Sequence, residues 1–156
     1  KVMQLYKEYR PLMKGQPAPL SVLKDPEGGE HTFAEFKGKW LVVDVWATWC
    51  SSCLKKMPLF LELAKSYSDR DDIVFITLSI DRSKAKERWK KALEKHQMTG
   101  LLNLIPDLPH SSPFEDAYYV SGVPRYLIID KEGNLVTAFA PSPGDGMDEL
   151  VKQLVK

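Results

Sequence analysis

The chain has 156 residues, 44% apolar and 28% charged, with a formal net charge of +1. That length suits one domain with a full core, and the balance excludes a disordered or fibrous chain. The near-zero charge gives no general attraction to nucleic acid or acidic lipid, and no apolar run approaches the roughly 18–20 residues that cross a bilayer.

The sequence begins at Lys1 without a Met or a leader, which reads as a processed chain and leaves its location open. Residues 1–14 carry Val2, Leu5 and Tyr9 at helical spacing but are interrupted by Pro11, and are expected to be an N-terminal extension or the end of an upstream segment. The domain itself is expected over 15–156. Gly15-Gln16-Pro17-Ala18-Pro19 leads to a short strand near Leu20 to Leu23, Asp25 to Glu30 form a turn, and Thr32 to Phe36 a small turn or helix. Trp40 to Trp46 (WLVVDVW) is almost wholly apolar and β-branched, the pattern of a strand buried on both faces.

A helix is expected from Ser51 to Tyr67, with Leu54, Met57, Leu61 and Ala64 recurring every three or four residues, then a buried strand from Ile73 to Ile80. Ser83 to Gln97 reads as a charged helix whose apolar side is Trp89, Ala92 and Leu93; Glu87 and Glu94 interleave with its lysines, giving a solvated face rather than a nucleic-acid site. Leu101 to Ile105 is a short strand or a connection, and Pro113 to Val120 a helix. Tyr126 to Asp130 and Leu135 to Phe139 form a hairpin around Lys131-Glu132-Gly133-Asn134. Met147 to Val155 closes the chain as a helix with Leu150, Leu154 and Val155 inward. The order predicts the α/β class, a central mixed sheet flanked by helices.

Cys50 and Cys53 are the chain's two cysteines. A bond between them closes so small a loop that it restrains the unfolded chain little, so they point to chemistry rather than stapling. They sit where a buried strand passes into a helix. Unpaired N–H groups and the helix dipole favour negative charge there, and thiols so placed have pKa values of roughly 3.5–7.5 against about 8.5 for a free cysteine. Cys50 is the expected nucleophile. Cys53, one turn further in, is the expected resolving thiol, which attacks the mixed disulfide formed at Cys50. A zinc site needs two further ligands, and His31, His96 and His110 all lie far from Cys50 in sequence. Covalent haem needs His after the second Cys, where Leu54 stands. No metal and no cofactor beyond the redox-active Cys50–Cys53 pair is expected.

Asp44 is a carboxylate inside an apolar strand, costly to bury without a purpose. Burial raises its pKa and suits a proton relay to and from Cys53; a structural carboxylate paired with Lys39 or Lys55 is the other reading. Trp49 offers an exposed apolar lip for docking partner proteins, whereas Trp46 reads as core packing.

The stretch Val43-Asp44-Val45-Trp46-Ala47-Thr48-Trp49-Cys50, Pro58 eight positions after Cys50, Val123-Pro124 before the strand at Tyr126, and the Ile129-Asp130-Lys131-Glu132-Gly133 hairpin together resemble the thioredoxin superfamily. Within it, Gly15-x-Pro17-Ala18-Pro19, Trp46-Ala47-Thr48-Trp49-Cys50 and the long segment between Ile80 and Val123 resemble the TlpA/ResA-type extracytoplasmic thiol–disulfide oxidoreductases. The resemblance implies a thioredoxin-like fold with a central insertion, an acidic residue at Asp44, and a cis bond at Pro124 that turns the Val123 backbone toward Cys50 for substrate binding. Arg125 follows, where its charge either favours the Cys50 thiolate, contacts substrate, or is simply solvated. Ser51-Ser52 departs from the group, which usually has Pro at the second position; the serines relax the helix start and offer hydroxyls to the sulfurs.

The expected function is reduction of disulfides in extracytoplasmic proteins of the bacterial periplasm or cell envelope. Its partners would be disulfide-containing proteins and an upstream dithiol electron donor, with no nucleic acid. The protein is expected to be a monomer, with membrane anchoring through an upstream segment left open. Three alternatives remain: a peroxiredoxin-like thiol peroxidase, although Val45 and Trp46 occupy the approach where that chemistry needs Thr or Ser and Pro; a non-catalytic binding module on the same fold; and an oxidase or isomerase using the same sulfurs in reverse.

Overall fold

The computed structural model describes residues 12–156, so most of the extension or upstream segment expected over 1–14 lies outside the described residues. Strand β1 (Leu23–Lys24) pairs antiparallel with β2 (Glu30–His31) in a two-residue ladder. The strand expected at Leu20 to Leu23 is displaced to that position. Pro17 and Pro19 carry no N–H to donate, and Leu20 and Val22 face solvent. A 3-10 turn at Phe33–Phe36 follows.

The main sheet is built from β3 (Trp40–Trp46), β4 (Ile73–Ser79), β5 (Leu102–Leu104), β6 (Arg125–Ile129) and β7 (Leu135–Thr137), in the order β5-β4-β3-β6-β7. Central β3 runs parallel to β4 and antiparallel to β6. Its six residues from Leu41 to Trp46 are all buried, as a strand covered on both faces requires. The fold is α/β and thioredoxin-like. Both sheet margins are met by the N-terminal segment. Lys24 and Ile105 exchange backbone hydrogen bonds of 2.7 and 2.9 Å just beyond β5, while Gly15 donates to Leu135 (2.8 Å) and Ala18 to Gly133 (2.9 Å) along β7. Leu12 is itself buried in the core.

Helices α1 (Ser51–Ser66), α2 (Lys86–Lys95), α3 (Pro113–Ala117) and α4 (Met147–Leu154) complete the layers. The expected helix from Ser83 begins as a 3-10 turn over Ser83–Ala85 and ends two residues early. Gln97 takes a left-handed φ of 59° while Met98 donates back to Leu93 (2.8 Å), which closes the last turn. Tyr119 (φ 52°) ends α3 in the same way, with Val120 donating to Glu115 (2.9 Å). β7 stops at Thr137, whose hydroxyl accepts from Phe139 N–H (3.0 Å) and turns the chain.

The buried stripe of α1 is Cys53, Met57, Phe60, Leu63 and Ala64, with Leu54 and Leu61 only partly covered at its sides. In α4 the fully buried positions are Met147 and Val151, joined by Val155 just past the helix end, whereas Leu150 and Leu154 are partly buried. Helix onset at Met147 puts the inward residues at intervals of four and so selects that row.

Candidate active site

β3 ends at Trp46, and the next three residues carry the chain to Cys50, the N-cap of α1. Cys50 and Cys53 are joined as a disulfide with Cα atoms 5.3 Å apart. Cys53 N–H points at the Cys50 sulfur (3.2 Å), so the sulfur occupies the position of a capping oxygen at a helix start. The Ser52 hydroxyl lies 3.4 Å from the same atom. No acidic residue stands in the first turn of α1 to oppose a thiolate. Cys50 is 7% exposed and Cys53 1%, so in the oxidised protein the first sulfur is the more open of two largely covered atoms.

The Val123–Pro124 bond is cis, and the Val123 carbonyl oxygen lies 3.8 Å from Cys50 Sγ. A disulfide sulfur has no proton to donate, so this is a contact that places a backbone acceptor beside the reactive atom. Trp49, 63% exposed, stands out from the loop, while Trp46 is fully buried. Trp49, next to Cys50 in the chain, and the Val123 carbonyl thus flank the reactive sulfur.

Asp44 is 1% exposed, and neither of its carboxylate oxygens has a hydrogen-bond partner among the described residues. The alternative pairing with Lys39 or Lys55 is therefore not what the fold holds. Burial pushes its carboxyl well above the usual carboxylate range. Asp44 shares a sheet face with Val42, and their β4 and β6 partners Phe75 and Tyr126 both meet Phe60 of α1, with ring centroids 5.6 and 6.5 Å apart. Asp44 thus lies beneath the helix that carries Cys53.

Arg125, read as favouring the Cys50 thiolate, contacting substrate or standing solvated, is held by backbone acceptors. Its guanidinium donates to the carbonyls of Ala138 (2.9 Å), Tyr119 (3.1 Å) and Tyr118 (3.0 Å) and lies 3.9 Å from the Phe139 ring centroid. The orphan carbonyls at the end of α3 attract it, and it fastens the central insertion to the strand after the cis bond.

Sequence reasoning missed Asp81. This carboxylate, 3% exposed, accepts from Thr48 N–H (2.9 Å), the Thr48 hydroxyl (2.7 Å) and the Ser79 hydroxyl (2.5 Å). Arg88 adds a bond from Nε to the Thr48 hydroxyl (3.0 Å) and brings Nη2 to 3.7 Å from Asp81. The end of β4 thereby pins the loop two residues before Cys50. The only signal was an acid directly after an apolar strand. We expect Asp81→Ala to lower stability by about 2–3 kcal/mol, since it strands buried donors, and to slow disulfide exchange; urea unfolding and a turnover assay measure the two effects.

The Redoxin family signature matches residues 13–154. The chain belongs to that family. It is 30% identical over 121 residues to the thiol–disulfide oxidoreductase ResA of Geobacillus thermodenitrificans, across 78% of this chain and 66% of that protein, so the matched part spans about two thirds of that relative. A Bacteroides vulgatus protein provisionally assigned as a thiol–disulfide oxidoreductase superposes with a TM-score of 0.80 at 33% identity, over 92% of this chain and 97% of the other. The thioredoxin domain of a second oxidoreductase from that organism gives 0.80 at 26% identity, over 93% and 99%. This redoxin is therefore a ResA-like member of the thioredoxin superfamily, and the chemistry of its Cys50–Cys53 pair is dithiol–disulfide exchange.

Proposed function

We propose that this redoxin is a reductase of protein disulfides outside the cytoplasm, with Cys50 attacking, Cys53 resolving and Asp44 exchanging a proton with Cys53. The observation that carries the reading is the unevenness of the pair: Cys50 caps α1 with an N–H and a hydroxyl toward its sulfur, while Cys53 lies inside the helix above a buried acid. The Cys50 thiolate attacks one sulfur of a substrate disulfide. A Cys50–substrate bond forms, the substrate bond breaks, and the departing thiolate takes a proton from water. Cys53 then gives its proton to Asp44 and attacks Cys50 sulfur, expelling the second substrate thiolate. Two electrons have passed to the substrate, and a donor dithiol returns them by the same steps reversed.

Trp49 supplies the apolar contact for a protein substrate, and the Val123 carbonyl beside Pro124 supplies a hydrogen-bond acceptor for an extended chain. Arg125 acts on that contact indirectly, by fastening the end of α3 to the strand that follows Pro124. The extracytoplasmic setting rests on the ResA-like sequence. Among the described residues no helix is long and apolar enough to cross a membrane. The catalytic unit is read as the domain from residue 15 onward, working as a monomer with the disulfide as its own redox group.

The reading predicts a reduction potential near the ~−270 mV of thioredoxin, measured by titrating the Cys50–Cys53 couple against glutathione. A value near the ~−120 mV of strong oxidants would reverse the net flux and replace the reductase with an oxidase.

A further inference from the structure

Asp44 has two polar partners across the ladders, Thr77 of β4, whose hydroxyl donates to Asn103, and Tyr126 of β6. Tyr126 is its direct partner across the β3–β6 ladder, so the two side chains leave the sheet on the same face. Tyr126 is 4% exposed, and its hydroxyl, like both Asp44 oxygens, has no hydrogen-bond partner among the described residues. Its ring lies against Phe60, two turns along α1 from Cys53. Both residues thus carry unpartnered buried oxygens on the sheet face that α1 covers. Buried polar atoms are nearly always paired, so the grouping calls for a purpose.

We propose that Tyr126 is a positioning residue for Asp44: its hydroxyl donates to the Asp44 carboxylate, directly or through one bridging water, whenever that group is ionised. The inference rests on the reading of Asp44 as proton partner of Cys53. When Cys53 transfers its proton, Asp44 goes from carboxylate to acid; when the disulfide is reduced, the proton returns to the Cys53 sulfur and the carboxylate reappears. The charge forms in a space where burial opposes it, and a phenolic O–H is the donor able to offset that opposition. Burial, followed by the nearby Asp44 and then Asp145, holds the Tyr126 phenol above its ordinary range, so it stays a neutral donor throughout. A Phe at this position would preserve the ring contact and leave the carboxylate alone.

The test uses reduced protein and dithionitrobenzoate, an aryl disulfide that releases one coloured thiolate when Cys50 attacks and a second when Cys53 resolves. The rate of the second release, followed against pH, rises as Asp44 ionises. Tyr126→Phe is expected to move that rise upward by about one pH unit, slowing resolution roughly tenfold below it, with the first release unchanged and thermal stability not lowered. Asp44→Asn is expected to abolish the rise. If Asp44→Asn abolishes it and Tyr126→Phe leaves it in place, the tyrosine has no such role while the reading of Asp44 stands. If Asp44→Asn leaves the rise intact, both fall.

Discussion

Cys50→Ser is expected to take disulfide reduction down to the uncatalysed background, whereas Cys53→Ser should leave the first attack intact and halt at a covalent intermediate. The difference follows from position. A serine at the N-cap of α1 keeps the capping hydrogen bond from residue 53, so the fold survives, but its hydroxyl does not ionise near neutral pH and forms no bond to sulfur. With Cys53 replaced, Cys50 still attacks and the mixed disulfide has no internal thiol to release it. Insulin turbidity driven by dithiothreitol reads the first loss; mass spectrometry of protein incubated with a disulfide peptide reads the trapped adduct. An adduct on Cys53 in the Cys50→Ser variant, with turnover retained, would exchange the two roles.

The second large effect is expected at Asp44. Removing a group that moves a proton in the rate-determining step typically costs on the order of 10²-fold, so Asp44→Asn should slow resolution by about that factor near neutral pH while sparing the first attack. Its influence on stability runs the opposite way. Burial raises the carboxyl in the folded protein above its unfolded value, so the native state holds the extra proton between the two. Stability is therefore full below the unfolded carboxylate range, about pH 4, and declines as pH climbs through the folded value. Asn carries no such charge, and the variant should be more stable than the parent at alkaline pH by about 1–3 kcal/mol. Urea unfolding at several pH values checks this; equal stabilities across the range would mean that the carboxylate is solvated or paired in solution.

The centre of the molecule was legible because its signals are local and redundant. WLVVDVW admits little besides a doubly covered strand, and the only two cysteines sit where that strand must give way to a helix. The helix ends were less legible. Gln97 and Tyr119 stop their helices by adopting left-handed backbone, which neither residue type advertises. Asp81 was missed because its link to the active-site loop runs to Thr48, 33 positions away, and the role of Arg125 stayed open because its partners are backbone carbonyls, which side-chain patterns do not mark. Asp44 stood out because an acid conflicts with its apolar surroundings; Tyr126, equally buried, blended into a strand that welcomes aromatics.

The N-terminal stretch bonds to Leu135 and Gly133 at one lateral border of the sheet and to Ile105 just past the other, so each border is closed at one end. Open borders invite indiscriminate stacking, so this wrapping acts as a guard against clumping.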